Sequence, residues 1–221
     1  MSRILIASRN PDKLRELRDI LGTEGYHPVS LLELDPAGTL EIAETGRSFT
    51  ENAVLKATAV AERFGDLGLG EDSGLSVDTL GGAPGIFSAR YHALDAEMLR
   101  GIYPEYPGGR PLTATDVPAD SLNNVRLLAE LEGFSDRIAR YTCAVALVTP
   151  AGEVLLAAVG KVEGRIGDRP VGDGGFGYDP LFIPEGSELT FAQHSPEAKH
   201  AVSHRGRALK RLVDFLKEER P

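Results

Sequence analysis

Residues 137–166, RIARYTCAVALVTPAGEVLLAAVGKVEGRI, restrict the fold of this chain more than any other stretch. Two long runs rich in β-formers flank the turn PAGE at 150–153, the pattern of an antiparallel hairpin. A hairpin of that length is stable only when other elements cover it. The same chain reads as a short buried strand at 3–8, RILIAS, and as helices over NPDKLRELRDILG, SFTENAVLKATAVAERFG, DSLNNVRLLAELEG and RALKRLVDFLKEE. Helices alternate with strands early and the hairpin dominates later, so the class is mixed α/β, with two lobes around a cleft. At 221 residues with 42% apolar content the chain can bury a sizeable core.

Punctuation sharpens these elements. Asn10 can cap the first helix, Pro11 suits its first position and Gly22 can stop it. Ser48 and Glu51 form a capping box, and Ala53, Val54, Ala57, Val60, Ala61 and Phe64 make one apolar stripe. LGLGEDSGLSVDTLGGAPG at 67–85 reads as strand, tight acidic turn and second strand. Asp120 is placed to cap the next helix. Residues 92–119, rich in Pro and Gly with one short helical piece, form an excursion.

Charge and apolar patterning exclude some functions. A formal net charge of −9 argues against a binder of nucleic-acid backbone, though a few cations and a metal can hold a small polyanion on an acidic protein. No apolar run approaches the roughly 20 residues needed to cross a bilayer, and ILIA near the start is too short for a signal peptide. The single cysteine, Cys143 in YTCAVALV, permits no internal disulfide, reads as a buried strand thiol and fits a reducing cytoplasm.

Four clusters could carry chemistry. SRNPDK at 8–13 sets Ser8, Asn10 and Lys13 at a strand-to-helix junction whose free amides suit phosphate, although a capped helix with an exposed lysine would look the same. AETG and GEDSG gather Glu44, Glu71 and Asp72, hard-oxygen ligands suited to Mg2+; a solvated acidic turn is the plainer alternative. AKHAVSHRG holds Lys199, His200, His204 and Arg205; its cationic neighbours and the lack of an H-E-x-x-H motif argue against zinc. GGFGYDPLFIP at 174–184 sets Phe176, Tyr178 and Asp179 among glycines, either as core anchors at a turn or as a grip on a flat ligand.

Taken together, SRNPDKLREL, ETGRSFTENAVLKA, EDSGLSVDTLGGAPGIFSARY, GGFGYDPLFIP and EAKHAVSHRGRALK, in this order, resemble the inosine triphosphatase family of purine nucleoside triphosphate pyrophosphatases. The resemblance implies an elongated, twisted mixed sheet with flanking helices, one two-lobed domain over residues 1–221, and a homodimer. It implies Mg2+-dependent attack of water on the α-phosphorus of ITP, dITP or XTP. Asp72 would be general base and metal ligand, with Glu44 the second carboxylate. Ser8, Asn10, Lys13 and Lys56 would hold phosphates, Arg9, Pro11 and Asp12 would belong to the same substrate-binding segment, and Ser73 would touch the nucleotide. Phe176 would stack on the purine, and Gly177, Tyr178, Asp179, Lys199, His204 and Arg205 would line the base site. Set against the family that it resembles, the chain would have a longer excursion at 92–119 than many members. Two other readings compete: a relative acting on pyrimidine nucleotides, and a nucleotide sensor without turnover.

Overall fold

In the computed structural model, which describes residues 3–218, β1 (Arg3–Ile6) runs into α1 (Pro11–Thr23), followed by β2 (His27–Ser30) and the single-turn α2 (Leu31–Leu34). The helix α3 (Phe49–Phe64) precedes the long strand β3 (Leu67–Val77). Two 3-10 segments (Asp78–Leu80 and Gly85–Ala93) and α4 (Ala96–Arg100) then lead to α5 (Ala119–Glu130). The predicted hairpin is β4 (Ile138–Val148) and β5 (Val154–Ile166); β6 (Phe182–Pro184), α6 (Pro196–Val202) and α7 (His204–Glu218) follow. The sheet is mixed, in the order β2-β1-β3-β4-β5-β6, with β1 parallel to β2 and β3, and β6 antiparallel to β5. Among the described residues no helix is long and apolar enough to cross a membrane.

The chain divides into two compact units. The first takes in the chain up to Asp72, Cys143–Gly160 and the chain from Arg205 onward; the second takes in Ser73–Thr142 and Lys161–His204. In the first unit Leu14, Leu17 and Leu21 of α1 and Leu209, Leu212 and Leu216 of α7 bury their stripes with Ile4, Ile6, Leu69, Val145 and Leu147. A second layer sets Ala53 and Ala57 of α3 against Ala144, Ala146 and Val148.

The expected acidic turn in GEDSG is not there: β3 runs unbroken through Glu71 and Asp72. Its glycines serve close packing instead. A Cβ at Gly68 would lie 2.1 Å from the carbonyl oxygen of Ala57, and one at Gly70 would lie 1.9 Å from that of Ala53. Only glycine lets α3 approach this near, and the strand thereby holds its two carboxylates beneath a rigid helix.

The second unit has an aromatic core of Tyr91, Tyr106, Tyr141, Tyr178, Phe182 and Phe191 with Leu75, Val77 and Leu127. Arg126 anchors part of the excursion here. It donates to the carbonyls of Tyr91 and Leu94 at 2.5 and 2.6 Å and to the Tyr106 hydroxyl at 3.0 Å, while its Nε pairs with Glu130 at 2.6 Å. A buried guanidinium is tolerable only with its donors satisfied in this way.

Two helix ends differ from expectation. α1 continues past Gly22, and the reversal falls at Gly25, whose φ of +76° is left-handed. α5 has Pro118 at its N-cap position, and the Asp120 carboxylate is engaged elsewhere.

Candidate active site

The first unit holds a carboxylate–ammonium cluster built by α3 and β3. Ser48 caps α3 by accepting from the Glu51 amide at 3.2 Å, which sets the helix register. Asn52 and Lys56, one turn apart, then share the face over β3. The Lys56 ammonium lies 2.8 Å from Asp72 Oδ1 and 2.9 Å from Glu44 Oε1. Asn52 Nδ2 donates to the other Asp72 oxygen at 3.2 Å, while its own Oδ1 accepts from the Gly46 amide at 2.9 Å. Both oxygens of Asp72 are thus oriented, and the loop carrying Glu44 is tied to the same helix.

Electrostatics follow from burial. Desolvation raises the Asp72 carboxyl above its ordinary value; Lys56 opposes the rise and Glu44 adds to it. Desolvation works against the Lys56 charge, but Asp72 and Glu44 outweigh it and its pKa is raised. Two carboxylates around one cation therefore keep that cation charged and leave one carboxylate more basic than it would be in water.

Glu71, the neighbouring residue on β3, projects to the opposite face. Its Oε1 lies 3.3 Å from Lys13 Nζ and 3.4 Å from Arg205 Nη2, and it accepts from the Cys143 thiol at 3.5 Å. Arg205 also pairs with Glu16 at 2.9 Å. Burial opposes the Arg205 charge, but Glu71 and Glu16 hold its pKa above the ordinary value. Burial, with Glu71 beside it, pushes the Cys143 thiol up, so the thiol stays neutral and is no nucleophile. At the start of α1 the Ser8 hydroxyl accepts from the Asn10 amide, and Asn10 Oδ1 accepts from the Lys13 amide, each at 3.2 Å.

The second unit carries an aromatic loop. Asp179 Oδ2 accepts from the Phe176 amide at 2.8 Å and pairs with Lys199 at 2.6 Å. The Lys199 ammonium stands 4.9 Å from the Phe176 ring centroid, a cation–π distance. Gly175, at φ +70°, is required here, since a Cβ would lie 2.0 Å from Asp179 Oδ2. His204 is buried and stacks on Tyr141 with centroids 4.5 Å apart and planes at 6°.

Comparison with known proteins decides the family. The sequence profile of the Ham1 family matches residues 4–215. The chain belongs to the Ham1 family. A protein named dITP/XTP pyrophosphatase from Nocardia farcinica is 42% identical over 219 residues, covering 98% of this chain and 95% of the relative. One of the same name from Nitratidesulfovibrio vulgaris is 44% identical over 214 residues, covering 96% and 94%. The Ham1 protein of Staphylococcus aureus superposes with a TM-score of 0.80 at 34% identity, covering 99% of this chain and 100% of that one. A nucleoside-triphosphatase / dITP/XTP pyrophosphatase from Mycobacterium abscessus gives 0.69 at 40% identity, covering 95% and 98%.

In this Ham1 chain the structure gathers Glu44, Lys56 and Asp72 in one unit and Phe176, Asp179 and Lys199 in the other. Three expected site residues have partners within the protein. The Arg9 guanidinium is spent on Asp35, donating to its carbonyl at 2.9 Å and its carboxylate at 2.5 Å, so it braces a loop. The Tyr178 ring is a core anchor, 3% exposed, with its hydroxyl donating to the Ser88 carbonyl at 2.9 Å. Arg205 lies in the unit that holds Glu71, not in the unit of Phe176 and Lys199. Pro11 opens α1 as its first residue, Ser73 is half-buried on β3, and the side chain of Asp12 lies outside the described residues.

Sequence reasoning assigned no role to Asn52, Glu16 or Asn124, and it placed Asp120 as a helix cap and not as the partner of Gly177. A polar residue at 52, within the apolar stripe and four before Lys56, was the available signal for the first; the partner of Glu16 is 189 residues away.

Among the described residues no group of three or more His, Cys, Asp or Glu could hold a metal. Glu44 and Asp72, converging on one ammonium, nevertheless fit Mg2+, which takes one or two carboxylates and fills its other positions with water and substrate phosphate.

Proposed function

We propose that this chain hydrolyses the deaminated purine nucleotides ITP, dITP and XTP to monophosphate and pyrophosphate, using Mg2+, as a single two-lobed domain in a cytoplasmic homodimer. The observation that carries the reading is the convergence of Glu44 and Asp72 on Lys56, in a chain 42% identical over nearly its whole length to a dITP/XTP pyrophosphatase. The single, buried Cys143 supports a reducing compartment, and the resemblance alone supports the homodimer.

The triphosphate end falls to the first unit. Ser8, Asn10 and the first amides of α1 face phosphate oxygens, and Lys13 and Lys56 offset their charge. Asp72, with one oxygen oriented by Asn52 and the other by Lys56, accepts the proton of the attacking water. The new bond joins that water oxygen to the α-phosphorus, and the bond to the bridging α–β oxygen breaks, so that pyrophosphate leaves with the electron pair. When bound by Glu44 and Asp72, Mg2+ supplies charge neutralisation for the leaving pyrophosphate.

The base end falls to the second unit. Phe176 offers a stacking face, and the Lys199 ammonium, held by Asp179 over that ring, donates toward the C6 carbonyl of hypoxanthine or xanthine. Adenine presents an amino donor there, so donor would face donor, a mismatch that can discriminate by up to about 10⁴-fold. Ser73, His204 and Arg205 belong to the substrate site on the strength of the resemblance.

The test is pyrophosphate release across ATP, GTP, CTP, dTTP, ITP and XTP, with and without Mg2+. ITP and XTP should give monophosphate and pyrophosphate, with little turnover of ATP, CTP or dTTP. Diphosphate plus phosphate, or equal turnover of CTP, would overturn the reading.

A further inference from the structure

The loop that carries Phe176 is not held by its own residues alone. Gly177 sits at φ +64°, and both of its backbone polar groups are taken by one helix. Its amide donates to Asp120 Oδ2 at 2.8 Å, and its carbonyl accepts from Asn124 Nδ2 at 3.0 Å. Asp120 and Asn124 are four residues apart on α5, so they stand one above the other on the same face. The intervening Asn123 fixes the strip beside them, accepting from the His92 amide at 2.8 Å and donating to the Ala89 carbonyl at 3.2 Å.

Gly177 is the joint between two side chains with opposite tasks. Tyr178, one residue on, is locked into the core through Ser88. Phe176, one residue back, is half-buried under Lys199. Glycine at positive φ has access to conformations closed to other residues, so the direction of the Phe176 ring relative to Tyr178 needs an outside constraint. Nothing would obstruct a Cβ at Gly177, so packing does not supply it. The pair on α5 does.

We propose that Asp120 and Asn124 form a clip that sets the Phe176 loop in its base-accepting conformation, and are positioning residues for purine recognition. This rests on the reading of Phe176 as the purine platform. The clip acts on base binding and leaves the triphosphate end untouched.

The test combines kinetics with a reporter that needs no turnover. Asp120→Ala and Asn124→Ala should each raise KM for ITP roughly tenfold, the scale of a lost hydrogen bond to a positioned group, with kcat within about threefold. Inhibition by inorganic tripolyphosphate should not change. Asp120→Asn, whose amide oxygen still accepts from Gly177, should restore KM. In a Phe176→Ala background, Asn124→Ala should add less than about twofold, because the side chain it positions is gone. The chain has no Trp, so Phe176→Trp gives a single emitter whose anisotropy should fall on adding Asp120→Ala, without any nucleotide. Asp120 is exposed, so its substitution leaves the core intact. Unchanged anisotropy, or an Asn124→Ala effect equally large without Phe176, would overturn the clip. A fall in anisotropy in a protein that does not turn over ITP would keep the clip and reject the purine reading.

Discussion

The two clusters, one in each unit, are built on opposite principles. In the first unit Lys56 and Asn52 project from a sixteen-residue helix onto Asp72 of an eleven-residue strand, and glycines on that strand bring the two into backbone contact. In the second, Phe176 and Asp179 sit on a loop with left-handed glycines at 175 and 177, held by side chains from elsewhere in that unit. In the proposed function the groups that handle charge at phosphorus tolerate little misplacement and sit on regular elements. The groups proposed to choose a base sit on a loop, where the contact surface is set by a few residues over an unchanged scaffold.

Removing divalent metal with excess EDTA should reduce pyrophosphate release from ITP to background, since Lys13 and Lys56 alone cannot offset the charge of leaving pyrophosphate. Undiminished hydrolysis would remove the metal role of Glu44 and Asp72. Asp72→Asn keeps the shape and loses the basicity, so kcat should drop by at least about 100-fold. Near-normal turnover would assign the base elsewhere.

Arg205→Ala probes the buried ion pairs of the first unit. It withdraws a cation from Glu71, whose side chain is 1% exposed, and should destabilise the protein by about 3 kcal/mol in urea unfolding. An unchanged midpoint would mean that Lys13 compensates fully. The smallest effect belongs to the loop: Phe176→Ala should raise KM roughly tenfold for ITP and XTP alike, on the scale of a lost base–aromatic stack, with kcat nearly unchanged. A large kcat effect would mean that the loop also positions the α-phosphorus.

What the sequence makes legible is what neighbours in the chain determine. The Ser48 cap, the α3 stripe and the long hairpin depend on residues a few positions apart, and they stand as expected. GEDSG misleads because glycines beside acidic residues usually mark a turn. Their reason here lies in the carbonyls of Ala53 and Ala57, on another element. Asp120 looks like a cap by local rules, yet its partner is the Gly177 amide, 57 residues away. The partners of Arg9 and Arg205 within the protein were not legible, because Asp35, Glu16 and Glu71 are not adjacent to them in sequence. The carboxylates and Lys56 were legible as chemistry; Asn52, which orients Asp72, was hidden beside an apolar stripe.

In the proposed function the first unit sets the rate and the second chooses the base. The most direct measurement is the ratio of kcat/KM for ITP to that for ATP, taken in Asp72→Asn and in Lys199→Ala. Asp72→Asn should lower both values by at least about 100-fold and leave the ratio within about threefold of the unaltered protein, because the lost base acts on phosphorus whichever purine is attached. Lys199→Ala should collapse the ratio, mainly by losing ITP, because the donor that distinguishes a C6 carbonyl from an amino group is gone. A ratio that collapses in Asp72→Asn, or survives intact in Lys199→Ala, would contradict the division of labour.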